Sequence, residues 1–144
     1  MGIRLRPCRP ADVEQVLDLW RRASAELSVT DDPDALRRRL GRERNLFILA
    51  WDRDRLVGSL IGGWDGWRGH MYRLAVDPVY RRRGIARRLV EAVEGRLRRL
   101  GARRIDGIVV KRNRAGGVFW RELGYRRHLE VARYVKDLRP RVLS

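Results

Sequence analysis

Val76-Asp77-Pro78-Val79-Tyr80-Arg81-Arg82-Arg83-Gly84-Ile85-Ala86 is the stretch on which the reading of this chain turns. It has the pattern of a strand end, a turn and the opening of a long helix. The first turn of a helix leaves backbone N–H groups without intrahelical partners, and the macrodipole adds partial positive charge, so an anion is stabilised there. A pyrophosphate answers that description. Gly84 brings no side chain to hold a phosphate away from the amides, and Ala86 is small enough for the same approach. Arg81, Arg82 and Arg83 add charge-assisted hydrogen bonds. Taken alone, Arg81 to Ala86 is equally an arginine-rich solvated turn with a glycine for backbone reasons. A Walker-type loop requires Gly-Lys-Ser/Thr and a Rossmann turn requires three glycines near an N-terminal strand. Neither occurs, which disfavours nucleotide hydrolysis and hydride transfer.

Working outward, Ile85 to Leu100 places apolar residues 86, 89, 90, 93, 97 and 100 on one stripe and Arg87, Arg88, Glu91, Glu94, Arg98 and Arg99 on the other face, with Gly101 as the stop. Upstream, His70 to Val76 reads as a strand. Leu46 to Trp51 and Leu56 to Gly63 form a hairpin about Asp52-Arg53-Asp54-Arg55. A short strand at Ile3 to Arg6 precedes a helix with Val13, Val16, Leu17, Trp20, Ala23 and Leu27 at helical spacing. A second helix starts at Asp32-Pro33, a cap followed by proline at the first helical position. Downstream come a strand at Arg104 to Val110, a helix at Ala115 to Leu123 closed by Gly124, and two runs of strand type at Tyr125 to His128 and Ala132 to Leu138. The order β-α-α-β-β-β-α-β-α-β-β predicts one mixed α/β domain spanning residues 1–144.

The 144 residues suit one core. No apolar run approaches a membrane span and none near the start resembles a signal peptide, so a cytoplasmic protein is expected. Cys8 stands alone, without Cys or His neighbours at metal-ligand spacing, and no metal is expected. The net charge is +16, and 32 of the 34 basic residues are arginine, a bias that a genome rich in G and C explains without function. Location says more: ten arginines against two glutamates lie between residues 81 and 104, half of the net charge, so an anion is expected to bind near there.

From Leu46 to Leu138 the chain resembles GNAT acetyltransferases, especially small bacterial members that modify protein N-termini or small amines. The resemblance rests on the Gly58-containing strand, on Leu74-Ala75-Val76-Asp77-Pro78 leading into Arg81 to Ala86, and on Asn113 with Phe119-Trp120-Arg121-Glu122-Leu123-Gly124-Tyr125. It implies a central mixed, largely antiparallel sheet flanked by helices, with acetyl-CoA as acyl donor and no metal. Leu74, Ala75 and Val76 would hydrogen-bond the pantetheine arm through their main chain, where their strand splays from the one at Arg104 to Val110. Arg81, Arg82, Arg83, Gly84, Ile85 and Ala86 would hold the pyrophosphate. Asn113 and Gly116 would contribute from the far side, although Asn113 also suits a loop or helix cap.

Acetyl transfer needs a neutral amine, a group to take its proton, and commonly a hydroxyl to protonate the departing thiolate. Here the chain departs from the family. Trp120 occupies the usual tyrosine position, and an indole N–H donates a hydrogen bond without serving as a practical acid. The carboxylate often found on the strand before the turn is replaced by Tyr72 and Arg73. A water held by carbonyls, His70 and Asp65 are the candidate bases, although a lone His or a loop Asp is more often solvated or satisfied locally. Tyr125, Tyr134 and Tyr72 are candidate hydroxyl donors, with aromatic packing as the competing role. Trp20, Trp64, Trp67, Asp31 and Asp32 are expected near the acceptor, with core packing as the competing account of Trp20.

The reading is therefore an acetyl-CoA-dependent N-acetyltransferase acting on a primary amine of a small molecule, a protein N-terminus or a lysine, with a homodimer as one possible assembly. Its competitor is a CoA-binding sensor that has lost catalysis. Nucleic-acid binding is disfavoured, because Glu91 and Glu94 interrupt the arginine face and no aromatic-and-basic strand motif is present; no membrane partner is expected.

Overall fold

The computed structural model describes residues 2–23, 28, 30–107 and 114–138. Its elements run β1 (Ile3–Pro7), α1 (Val13–Arg22), α2 (Pro33–Leu40), β2 (Phe47–Asp52), β3 (Arg55–Trp64), β4 (Gly69–Val76), α3 (Ile85–Leu100), β5 (Ile105–Gly107) and α4 (Arg114–Glu122). The sheet order is β1-β2-β3-β4-β5, antiparallel throughout except that β5 runs parallel to β4. This is the mixed, largely antiparallel sheet expected from the sequence.

Strand periodicity divides the core. Phe47, Leu49 and Trp51 of β2 join Val13, Val16, Leu17, Trp20, Leu36 and Leu40 on the α1/α2 face. Ile48 and Ala50 join Ile85, Leu89, Val90, Val93 and Leu97 on the α3 face. Both faces are covered, so β2 reads as a continuous apolar run rather than an alternation. Two glycines let α3 lie close on the sheet: a Cβ at Gly62 would fall 2.6 Å from Val93 Cγ1, and one at Gly69 would fall 2.8 Å from Leu97 Cδ1.

The helix boundaries follow their chemistry. Asp32 caps α2 by accepting from the Ala35 N–H at 2.8 Å, with Pro33 in the first turn. Gly101 ends α3 at φ 111°, its N–H on the Arg98 carbonyl. The buried stripe of α3 is Ile85, Leu89, Val90, Val93 and Leu97, whereas Ala86 is partly buried and Leu100 half exposed. Leu27 lies outside the described residues.

One expectation is corrected. Residues 125–138 carry no strand, and Leu129, Val131, Tyr134, Val135 and Leu138 are exposed. A strand has no internal hydrogen bonds and exists only against a partner edge, so alternation alone does not make one. The expected strand at Arg104 to Val110 is seen as Ile105–Gly107, and residues 108–110 lie outside the described residues. Among the described residues no helix is long and apolar enough to cross a membrane.

Candidate active site

β4 leads into the candidate site. At its start, Gly69, His70 and Met71 pair with Ile105, Asp106 and Gly107 of β5. Among the described residues β5 accompanies β4 as far as Met71, and residues 108–113, which follow β5 in the chain, lie outside the described residues. On the other side the ladder with β3 slips between Ser59 and Ile61. Arg73 absorbs the irregularity with φ 56°, a left-handed backbone that a non-glycine residue adopts only when its surroundings impose it. Those surroundings are a buried relay: Trp20 Nε1 donates to Ser59 Oγ at 2.9 Å, and Ser59 Oγ donates to the Arg73 carbonyl at 3.3 Å. Trp20 is fully buried, so core packing accounts for it and a place at the acceptor does not. The Arg73 guanidinium bonds the buried Asp31 carboxylate and lies 5.2 Å from the Trp20 ring. The carboxylate that the strand lacks is thus brought beside it by the loop before α2. Asp32 is spent on its helix cap.

β4 then runs into the turn. Asp77 opens a single 3-10 turn, Pro78–Tyr80, and α3 begins at Ile85. Arg82 and Gly84 both take left-handed backbone, at φ 64° and 77°. A Cβ at Gly84 would meet nothing within 4 Å. Glycine is therefore demanded first by conformation, with phosphate access as a second consequence. The first turn of α3 holds no acidic residue and Gly84 supplies no side-chain cap, so the amides there keep their capacity for an anion. Arg81, Arg82 and Arg83 are exposed around them. An open cavity of about 700 Å³ is lined by Gln15, Arg22, Arg55 and Tyr80 among others and by none of Arg81 to Ala86.

The catalytic candidates fall into two groups on opposite faces. Trp120 is buried against the α3 side, its ring 4.8 Å edge-on to Tyr125 and 5.4 Å from Phe119. Tyr125 donates its hydroxyl to Glu94 Oε2 at 2.7 Å, and burial, reinforced by that carboxylate, raises its pKa further above the tyrosine range. His70 alternates with buried Met71 and so faces the other way. Its Nε2 lies 3.1 Å from Asp65 Oδ2, and its Nδ1 lies 3.5 Å from Asp106 Oδ2. Asp65 is held down at about 2 by the backbone N–H of Arg68 first and by His70 next. Tyr72 is partly exposed and Tyr134 almost wholly so. Trp64 is partly buried against the α3 cluster, whereas Trp67 is exposed with Arg68 stacked 4.0 Å from its ring. Asn113 lies outside the described residues, and Gly116 falls in the first turn of α4.

Sequence reading missed Ser59 and the Asp31–Arg73 pair as one assembly, since the partners are 14 and 42 residues apart in the chain. No local spacing announces either contact.

Comparison with known proteins places this geometry. The model of the acetyltransferase (GNAT) family matches residues 13–125. An acetyltransferase of Photorhabdus laumondii is 36% identical over 138 residues, covering 94% of this chain and 96% of that protein. Another, of Sodalis glossinidius, is 36% identical over 124 residues, covering 85% and 87%. Among solved structures, the PaiA N-acetyltransferase of Thermoplasma acidophilum in complex with coenzyme A is similar at TM-score 0.76 and 18% identity, covering 85% of this chain and 89% of that one. The ribosomal-protein-S18-alanine N-acetyltransferase of Escherichia coli is similar at TM-score 0.73 and 21% identity, covering 85% and 77%. At those identities the structural likeness establishes the fold. The class so defined is the acetyltransferases. Within it, this chain belongs to the GNAT family.

Proposed function

We propose that residues 1–144 act as one domain that transfers the acetyl group of acetyl-CoA to a primary amine, on a small molecule, a protein N-terminus or a lysine. The observation that carries this is the run of β4 into the turn at the head of α3, whose first-turn amides have no acidic side chain or side-chain cap and are surrounded by the exposed Arg81, Arg82 and Arg83. An extended amide-containing arm is matched by a strand edge, and a pyrophosphate by a helix N-terminus with arginines around it. Acetyl-CoA supplies the activated thioester. Leu74, Ala75 and Val76 hold the arm by main-chain hydrogen bonds, and Arg81 to Ala86 hold the phosphates, with Asn113 and Gly116 closing the far side.

The amine must lose a proton. Of the two side-chain candidates, His70, flanked by Asp65 and Asp106, is the better base, because Asp65 held at about 2 is too weak a base to take a proton near neutral pH. Trp120 contributes shape and an N–H, and orientation in the cleft supplies much of the acceleration. Isothermal titration with acetyl-CoA, followed by thiol release over a panel of amines, tests the reading; absence of binding at millimolar acetyl-CoA overturns it.

A second reading, a CoA-binding sensor without turnover, is favoured by one arrangement: Trp120 is buried and the neighbouring Tyr125 hydroxyl is engaged by Glu94. Tight CoA binding with no thiol release across the panel selects it.

A further inference from the structure

The turn that reads as the phosphate site has a strained backbone, with Arg82 at φ 64° two residues before Gly84 at φ 77°. Such a conformation persists only where its surroundings over-determine it, and the first turn of α3 offers no side-chain cap to do so. What lies behind the turn does. Asp77 is 2% exposed. Its Oδ1 accepts the Val79 N–H at 3.0 Å, fixing the 3-10 turn, while its Oδ2 accepts Arg55 Nη2 at 2.9 Å and Arg22 Nε at 3.3 Å. Arg22 also donates to the Leu56 carbonyl at 3.0 Å. One carboxylate thus ties α1 and the start of β3 to the turn.

Charge gives this arrangement its point. A buried carboxylate just ahead of an anion site would repel the anion if left alone. Two guanidiniums on one carboxylate reverse the sign and leave the reverse face of the turn net positive. The second anchor is Tyr80, whose hydroxyl donates to Asp52 Oδ2 at 2.5 Å across the β2–β3 hairpin. The Arg83 guanidinium lies 4.8 Å from the centre of the Tyr80 ring, and that of Arg55 lies 5.6 Å away. Tyr80 therefore ties an arginine of the proposed phosphate site to the same hairpin that supplies Arg55.

We propose that Asp77 and Tyr80 are positioning residues for pyrophosphate recognition, holding the Arg81–Gly84 turn in its binding shape from behind through Arg22, Arg55 and Asp52. This rests on the reading of that turn as the CoA pyrophosphate site. Neither residue touches the donor in this account. They set where the amides and Arg83 stand.

Titration of the whole chain with CoA and with pantetheine, which lacks the pyrophosphate and nucleotide, tests the inference. Tyr80→Phe keeps the ring beneath Arg83 and removes only the link to Asp52; Asp52→Asn weakens the same link from the other side. Both are expected to reduce CoA affinity roughly three- to tenfold while leaving pantetheine affinity unchanged. Asp77→Asn, which retains an acceptor for the Val79 N–H but loses the ion pairs, is expected to reduce it further with the same selectivity. Variants that bind CoA as the parent does overturn the inference, as do variants that lose CoA and pantetheine in equal proportion, since that marks general loss of structure. A parent chain that binds pantetheine no less tightly than CoA, or binds neither, overturns instead the underlying reading of the turn.

Discussion

The hydroxyl of Tyr125 donates to Glu94 Oε2 at 2.7 Å, fastening the segment after α4 to the middle of α3. A hydroxyl expected as one candidate proton donor is thereby held in a structural bond. Tyr125→Phe is expected to lower stability by about 1.5–3 kcal/mol, the worth of a hydrogen bond to a charged group. In the same protein kcat for acetyl transfer should fall less than tenfold, against the roughly 10²–10⁴-fold that loss of a general acid produces. Thermal unfolding and steady-state rates on the variant measure both; a 100-fold loss of kcat would return Tyr125 to the role of acid.

Ser59 relays between the Trp20 indole and the left-handed Arg73. Ser59→Ala leaves the fully buried Trp20 N–H without its acceptor, a loss of about 1–3 kcal/mol. Denaturant unfolding gives the stability, and the near-ultraviolet signal of the tryptophans reports the local change. A stability within about 0.5 kcal/mol of the parent would mean that the relay does not hold the irregularity in β4.

Gly62 lies under α3 with no room for a methyl, since a Cβ there would fall 2.6 Å from Val93 Cγ1. Valine has little rotamer freedom in a helix, so Gly62→Ala must lift the helix or shift the strand. The expected destabilisation is about 1–3 kcal/mol. Pairing it with Val93→Ala should restore part of the loss, and a double-mutant cycle in denaturant checks this; strictly additive losses would refute the contact.

Asp65 titrates near 2 because the Arg68 N–H and His70 favour its ionised form. A lowered folded-state pKa means that the contribution is complete above the ordinary aspartate value of 3.8 and is lost as pH falls through about 2. The melting temperature of the parent should fall more steeply between pH 4 and 2 than that of Asp65→Ala, and the two curves should converge at the acid end. Parallel curves across that window would contradict the assignment.

The turn, the helix behind it and the hairpin ahead of it were legible because each is written in local chemistry. Asp32-Pro33 caps and starts α2, Gly101 stops α3, and Ile85 to Leu100 repeats with a helix's period. The runs at 125–128 and 132–138 have a strand's alternation too, yet they form no strand here. Alternation records which face is apolar and says nothing about whether a partner edge is present. Trp20 shows the same limit on the site: its spacing suits a core or a binding surface, and its complete burial with Ser59 as partner decides for the core.

By itself, then, the sequence determined the order of elements from β1 to α4, the mixed α/β class and the glycine-containing turn from Arg81 to Ala86, because caps, periodicity and glycine conformation act over a few residues. Tertiary structure alone decided what stands behind that turn. Arg22, Asp52 and Arg55 reach Asp77 and Tyr80 across spans of 22 to 55 residues, and contacts of that kind are set by how helix and hairpin pack, not by any spacing along the chain.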